Sequence, residues 1–218
     1  MKPTVASFLL LLLVAALTST RLPISLAAAS SSTSSSPIPV TDVDGATVRS
    51  GLNYFILPSV SGHGGGVALD RTKTKKCPLS VFQDNYDLSK GLPVVFLPLN
   101  AKPGYTVRTS IDLNIEFTTE TACDEAAVWK VEGYDHDLGQ IRFVGTGGIE
   151  GKPGPRTVDN WFKIVKYGGN YKLVYCPSVC KQCKVECKDV GVFEDEYGKK
   201  RLALSDEPLV VKFLKATN

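Results

Sequence analysis

The chain has 218 residues, with 25 Lys and Arg against 22 Asp and Glu, six cysteines and two histidines. A formal charge of +3 gives no electrostatic case for nucleic acid or an anionic membrane as partner. Proteins that bind these partners carry dense basic patches. The length fits one folded domain behind a terminal segment, since domains typically have about 100–200 residues.

The N-terminus has the layout of a secretory signal peptide. Lys2 gives a short basic start, residues 5–17 are almost wholly apolar, and alanines at 27–29 fit a cleavage site. The apolar run is shorter than the about 18 residues that a membrane-spanning helix needs. We therefore predict a signal peptide over residues 1–29 and a mature chain with no membrane contact. It would be secreted, either extracellular or vacuolar.

Residues 30–39 are rich in serine and proline and predict a disordered tail, because such a segment buries too little apolar surface to fold. The folded domain is then residues 40–218. Cleavage after residue 29 removes Lys2 and Arg21 and no acidic residue, so the formal charge falls from +3 by 2 to +1.

Short β-type runs recur along the mature chain, with Gly, Asn, Asp or Pro between them. Residues 105–117 alternate apolar and polar side chains over a long span, which is typical of a half-buried strand. About a dozen short strands at near-regular spacing predict an all-β sandwich or barrel. The runs are 53–57, 66–69, 79–82, 93–97, 105–117, 128–131, 141–144, 161–165, 171–175, 190–193, 201–204 and 209–214.

A weak internal repeat favours a barrel with three-fold symmetry. Residues 81–96, 128–144 and 192–204 each contain an apolar pair, a turn with acidic residues or tyrosine, a glycine and an apolar strand. Trp129 and Trp161 are interpreted as aromatic residues of the core.

Six cysteines in a chain that enters the secretory route predict disulfides. Six allow fifteen pairings, and spacing alone does not choose among them. The two upstream cysteines suit one long loop, the two inner cysteines of the cluster suit a tight turn, and the two outer ones bracket that turn. The alternative is a four-cysteine zinc site, which usually has a longer spacer between its two knuckles. The six are Cys77, Cys123, Cys176, Cys180, Cys183 and Cys187.

No catalytic constellation is visible in the sequence. His63 lies in a glycine loop and His136 in a polar turn, and neither a Gly-x-Ser-x-Gly nucleophile motif nor a phosphate-binding loop occurs. Residues 42–45 begin like a calcium loop but lack its later ligands. We predict that the chain is not an enzyme and holds neither a cofactor nor a metal ion.

Short blocks spread over the mature chain carry a family resemblance when taken together. They are VTDVDGATV at 40–48, YFI at 54–56, GGGV at 64–67, CPL at 77–79, DLNIEF at 112–117, WFKI at 161–164, YKLVYCP at 171–177, DVGV at 189–192 and RLALS at 201–205. Together they resemble the plant Kunitz inhibitors of the soybean trypsin inhibitor type, most closely the miraculin-like branch.

The resemblance implies a β-trefoil, in which twelve strands form a six-stranded barrel capped by three hairpins. It also implies how the cysteines pair, and the innermost bridge is similar to one in the miraculin-like branch. The implied disulfides are Cys77–Cys123, Cys176–Cys187 and Cys180–Cys183.

In inhibitory members of this family, one exposed loop enters the protease active site like a substrate. By resemblance that loop is residues 98–105, PLNAKPGY, which we call the candidate contact loop. The implied function is a secreted, monomeric plant-defence inhibitor of serine endopeptidases, with cysteine proteases as the other target class. The alternative is a non-inhibitory binding or defence protein on the same scaffold. The implied contact residues are Pro98, Leu99, Asn100, Ala101, Lys102 and Pro103.

Two positions depart from the pattern of inhibitory relatives. The primary contact falls among Asn100, Ala101 and Lys102, and Lys102 would suit a trypsin-like pocket that selects a cation. Pro103 follows Lys102, however, and a proline has no N–H and restricts the residue before it. Ser50 stands where inhibitory relatives often carry an asparagine that braces the loop.

Overall fold

The computed structural model describes residues 36–217, which form twelve β-strands and one short 3-10 helix. The predictions for the signal peptide and for most of the tail concern residues 1–35 and lie outside this range. Within it, no helix is long and apolar enough to cross a membrane. The strands are β1 (Tyr54–Pro58), β2 (Val67–Asp70), β3 (Ser80–Gln83), β4 (Val94–Pro98), β5 (Leu113–Phe117), β6 (Lys130–Asp135), β7 (Ile141–Gly145), β8 (Lys163–Tyr167), β9 (Asn170–Tyr175), β10 (Lys188–Glu194), β11 (Lys200–Ser205) and β12 (Val210–Lys215), and the 3-10 helix is Pro155–Asn160.

Six strands form a closed antiparallel barrel. β12 pairs with β1, β1 with β4, β4 with β5, β8 with β9, and β9 with β12. The ring closes between β5 and β8 through Leu113 and Phe162, whose backbone groups exchange two hydrogen bonds of 2.9 Å. Closure leaves no unpaired edge in the ring.

Three hairpins cap the barrel and pair with one another in a cycle. β2 pairs with β3, β6 with β7, and β10 with β11. Between hairpins, β3 meets β7, β7 meets β11, and β11 meets β3. This arrangement is a β-trefoil, and three disulfides accompany it. The prediction of an all-β trefoil with three disulfides is confirmed.

Alternating side chains fill the barrel with aromatic residues. In β9, Tyr171, Leu173 and Tyr175 are buried while the residues between them are partly exposed, as the pleat of a strand requires. Trp129 and Trp161 are both buried, as predicted. Trp129 packs edge-on against Phe162 at 5.8 Å between ring centroids.

Two sequence-based predictions are wrong in detail. Residues 105–117 are not one strand, because the backbone turns at Ser110, where φ is +61°, and only Leu113–Phe117 is a strand. The first unit of the proposed internal repeat also does not correspond to the other two. Residues 81–96 run from β3 into β4, whereas the other two units each span a cap hairpin.

The N-terminal boundary of the folded part extends slightly beyond the predicted one. Pro39 pairs with Arg108, and Ile38 exchanges hydrogen bonds with Thr109, one through the Thr109 hydroxyl at 3.1 Å. Residues 38 and 39 therefore pack beside the chain that follows the candidate contact loop.

Candidate functional site

The candidate contact loop begins with a tight turn at the end of β4. The Ala101 N–H donates to the Pro98 carbonyl at 3.0 Å, and Asn100 within this turn has φ of +59°. Asparagine tolerates this left-handed conformation better than most residues. The Leu99 N–H donates to the Asp112 carbonyl at 2.8 Å. The first half of the loop is thus fixed to the start of β5.

Ser50 holds the second half of the loop. Its N–H donates to the Tyr105 carbonyl at 2.8 Å, its carbonyl accepts from the Gly104 N–H at 2.8 Å, and its hydroxyl donates to the Lys102 carbonyl at 3.3 Å. Ser50 is only 3% exposed. The serine therefore does brace the loop, with its backbone as well as its side chain.

The side chains that face solvent from the loop are those of Asn100, Lys102, Pro103 and Tyr105. Asn100 and Lys102 are exposed, and Ala101 between them is half-buried. Pro103 is exposed and lies beside Gly51, whose φ of +75° favours glycine. The six implied contact residues are therefore one continuous exposed or half-buried stretch.

A groove of about 290 Å³ separates this loop from residues 149–153, which we call the flanking segment. Leu97, Ala101 and Pro103 line one side, and Gly151 and Pro153 line the other. Nothing in the sequence predicted that these two segments would be neighbours, because about fifty positions separate them and trefoil closure brings them together.

Asp112 connects the loop to the cysteine cluster. While its carbonyl holds Leu99, its carboxylate accepts the Ser178 N–H at 3.1 and 3.2 Å. Lys163 lies 3.5 Å from the same carboxylate and donates to the Ser178 hydroxyl at 2.6 Å. Sequence reasoning missed this role, since a polar residue before a strand usually faces water.

All six cysteines are in disulfides, with no free thiol within residues 36–217. The pairs are those that the resemblance implies, so the clustered sulfurs offer no thiolate for zinc. Cys77, Cys123 and Glu125 do come within 4.8 Å of one another, but both sulfurs belong to one disulfide. The bonds are Cys77–Cys123, Cys176–Cys187 and Cys180–Cys183.

Glu116 is a titratable group with a perturbed pKa on β5, outside the candidate contact loop. Burial raises the pKa of this carboxyl, and the negative charge of Glu150 in the flanking segment raises it further. Two like charges in this position store some electrostatic repulsion at neutral pH.

Comparisons with known proteins agree with the fold. The chain is 46% identical over 178 residues to Kunitz trypsin inhibitor 5 of Arabidopsis thaliana, covering 82% of this chain and 86% of that protein. It is 44% identical over 186 residues to Miraculin of Synsepalum dulcificum, covering 82% and 84%. A solved Kunitz-type cysteine protease inhibitor from potato superposes with a TM-score of 0.72 and 36% identity, over 84% of this chain and 100% of that one.

The family model described as "Trypsin and protease inhibitor" matches residues 40–215, nearly the whole of the predicted domain. Proteins of this family are inhibitors rather than enzymes, so the prediction that the chain is not an enzyme is confirmed. The chain belongs to the legume Kunitz family of trypsin and protease inhibitors.

Proposed function

We propose that this protein is a secreted, monomeric inhibitor of serine endopeptidases that acts through the candidate contact loop in plant defence. The observation that carries the proposal is how the loop is held. Asp112 and Ser50 fix its backbone at both ends, while Asn100 and Lys102 stay exposed. A loop fixed in this way loses little conformational entropy on binding, which is what a substrate-like inhibitor requires.

The relatives support a protease as the partner. The family description and the Arabidopsis relative both carry trypsin in their names, which favours a serine endopeptidase. The potato structure is named for cysteine proteases, so that class is the second target to test.

The secretory route is supported by the chemistry of the chain. The signal-peptide layout of residues 1–29 and three disulfides both suit an oxidising compartment. We propose the extracellular space or the vacuole as the destination.

Lys102 and Pro103 decide how well trypsin itself is inhibited. An exposed lysine suits the cation-selective pocket, but Pro103 cannot offer an N–H to the protease. We expect the wild-type protein to bind trypsin weakly, and Pro103→Ala to bind it more tightly.

The test is a titration of the purified mature protein against trypsin, chymotrypsin, subtilisin and papain. Three variants, Lys102→Ala, Asn100→Ala and Pro103→Ala, then assign the primary contact. A loss of trypsin inhibition of more than about tenfold in Lys102→Ala, equal to about 1.4 kcal/mol, places the lysine in the pocket. A larger loss in Asn100→Ala moves the contact upstream and favours a protease that does not select a cation.

Two outcomes contradict the proposal. Nanomolar inhibition that no substitution in residues 99–103 changes would mean that another surface is the inhibitory site. Absence of inhibition of all four proteases, with the Pro103→Ala variant equally inactive, would favour a binding or defence protein that is not an inhibitor.

Two observations favour that second candidate. Pro103 directly follows the exposed Lys102, and the chain is nearly as similar to Miraculin as to the trypsin inhibitor. The fold alone does not distinguish the two functions, so the protease titration decides between them.

A further inference from the structure

The flanking segment, residues 149–153, is held in place by buried asparagines. The Gly151 N–H donates to the side-chain oxygen of Asn114 at 2.8 Å, and Asn114 is fully buried. The Asn160 amide donates to the Ile149 carbonyl at 3.2 Å, while Asn114 donates to the Asn160 carbonyl at 2.8 Å. Two core positions are thus occupied by amides whose partners include the backbone of this surface segment.

Lys152 is presented in an unusual backbone conformation within this segment. Its φ is +52°, a left-handed value that a residue with a long side chain adopts only when its surroundings impose it. The Lys152 carbonyl accepts from the Thr157 hydroxyl at 2.6 Å, and the indole N–H of Trp161 donates to that hydroxyl at 3.4 Å. The side chain itself is exposed.

The outer side of the segment contributes nothing to the core. Ile149 is 50% exposed, and both Lys152 and Pro153 are exposed. Burying two amides to order an exposed segment is an unusual use of the core, and residues in strained conformations cluster at sites of function. The segment therefore has the properties of a pre-organised contact surface.

Its position and charge indicate the partner. The segment lies across the 290 Å³ groove from the candidate contact loop, so a molecule that covers the loop reaches it. Besides Lys102 in the loop and Lys152 in the segment, Arg49 lies at this surface and donates to the Gly104 carbonyl at 3.5 Å. Glu150 lines the groove and its charge acts on Glu116, so three cationic groups stand against two carboxylates at this surface.

We propose that residues 149–153 are a second contact with the protease that binds the candidate contact loop, and that Lys152 favours proteases with an acidic surface beside the active-site cleft. This inference rests on the proposed function. Charges at the rim of an interface act mainly on the association rate and on its salt dependence. Lys152 would therefore select among proteases without entering the specificity pocket.

The test compares association rates for the protease of the panel that the wild-type protein inhibits most tightly. The variants are Lys152→Glu, Lys152→Gly and the control Lys76→Glu, which reverses an exposed lysine on the β2–β3 connection. We expect Lys152→Glu to slow association about tenfold at about 0.05 M salt and by less than about threefold at about 0.5 M, where screening is strong. Lys76→Glu should stay within about twofold of wild type at both.

Lys152→Gly keeps the test valid if the glutamate variant folds poorly, because glycine accepts a positive φ without strain. It should slow association about threefold at low salt, since it removes the charge without reversing it. In the wild-type protein, the peptide that covers residues 149–154 should exchange its amide hydrogens more slowly in the protease complex than in the free protein.

The inference is overturned if both Lys152 variants associate at the wild-type rate while Lys102→Ala or Asn100→Ala weakens inhibition, and the proposed function then stands. It is also overturned if Lys76→Glu slows association as much as Lys152→Glu, because the effect would then come from net charge. If the wild-type protein inhibits none of the four proteases, the proposed function fails together with this inference.

Discussion

The candidate contact loop and the disulfide segment, residues 176–187, are two exposed segments that the molecule constrains in different ways. Hydrogen bonds from Ser50 and Asp112 hold the contact loop. Two nested disulfides close the disulfide segment, the inner one around a turn in which the Cys183 N–H donates to the Cys180 carbonyl at 3.3 Å. Asp112 contacts both segments.

The difference teaches what each constraint is able to do. A disulfide acts largely by restricting the unfolded chain, so its contribution to stability depends on the length of the loop it closes. A hydrogen bond to a loop carbonyl acts in the folded state, where it selects one loop conformation. The disulfides should therefore act mainly on stability, and the braces of the contact loop mainly on inhibition.

The largest expected effect comes from the disulfides, whose sequence separations are 46, 11 and 3. The chain-entropy model gives about 4, 3 and 2 kcal/mol for their removal in that order. The double variant Cys77→Ser with Cys123→Ser should lower Tm by about 8–16 °C, and Cys180→Ser with Cys183→Ser by about half as much. Calorimetry measures both shifts.

Inhibition measured well below Tm is the control for this series. If removal of the Cys180–Cys183 bond weakens inhibition while Tm barely changes, the disulfide segment takes part in binding and the contrast between the two segments fails.

Much of this contrast could be predicted from the sequence, and the reason lies in the range of the interactions. The disulfides could be predicted because cysteines are chemically distinctive, and the family resemblance implies the pairs that the structure contains. The strands could be predicted because the alternation of apolar and polar residues is a local pattern. The hairpin formed by β10 and β11, for example, falls where two apolar runs flank a Tyr-Gly-Lys-Lys turn.

The hydrogen bonds that hold the contact loop and the flanking segment were harder to predict from the sequence, because the donor and the acceptor are far apart in the chain. Ser50 meets Lys102 across 52 positions, and Asn114 meets Gly151 across 37. Asn114 is a polar position within the alternating run 105–117, yet it is fully buried. The break at Ser110 was missed for the same reason, because its N–H donates to the carbonyl of Ile164, a residue far along the chain, at 2.8 Å.

The next effect in size concerns Asp112, which is 7% exposed. Asp112→Ala removes the acceptor of the Ser178 N–H and the partner of Lys163, and a buried charged hydrogen bond is typically worth about 2 kcal/mol. The backbone bond to Leu99 survives the substitution. We therefore expect a lower free energy of unfolding, measured by denaturant titration, with unchanged inhibition.

Asp112→Asn is the matched variant, because it keeps the size and one acceptor oxygen and should lose about half as much stability. A parallel fall in inhibition for both variants would show that the two segments are coupled through Asp112, against the separation argued above.

Ser50→Ala tests the other half of the contrast, the brace that holds the contact loop. Loss of the hydroxyl that donates to the Lys102 carbonyl at 3.3 Å should lower stability by only about 1 kcal/mol. It should weaken inhibition about fivefold, because the loop then loses more conformational freedom on binding. The control is Ser178→Ala, the same substitution in the disulfide segment, which should leave the inhibition constant unchanged. Equal effects of the two serines on inhibition would contradict the assignment of the brace to Ser50.

The smallest effect is electrostatic and concerns the flanking segment beside the contact loop. Burial and the charge of Glu150 raise the pKa of Glu116, so the folded state binds a proton more readily than the unfolded state. Stability from this group is present below the ordinary glutamate pKa and is lost as pH rises through the raised value in the folded protein. Glu116→Gln should therefore stabilise the protein at pH 7 by less than about 1 kcal/mol, given solvent screening, and not at about pH 3, where glutamates are protonated. Thermal unfolding of both proteins at the two pH values measures the difference, and an equal gain at both would assign it to packing instead of charge.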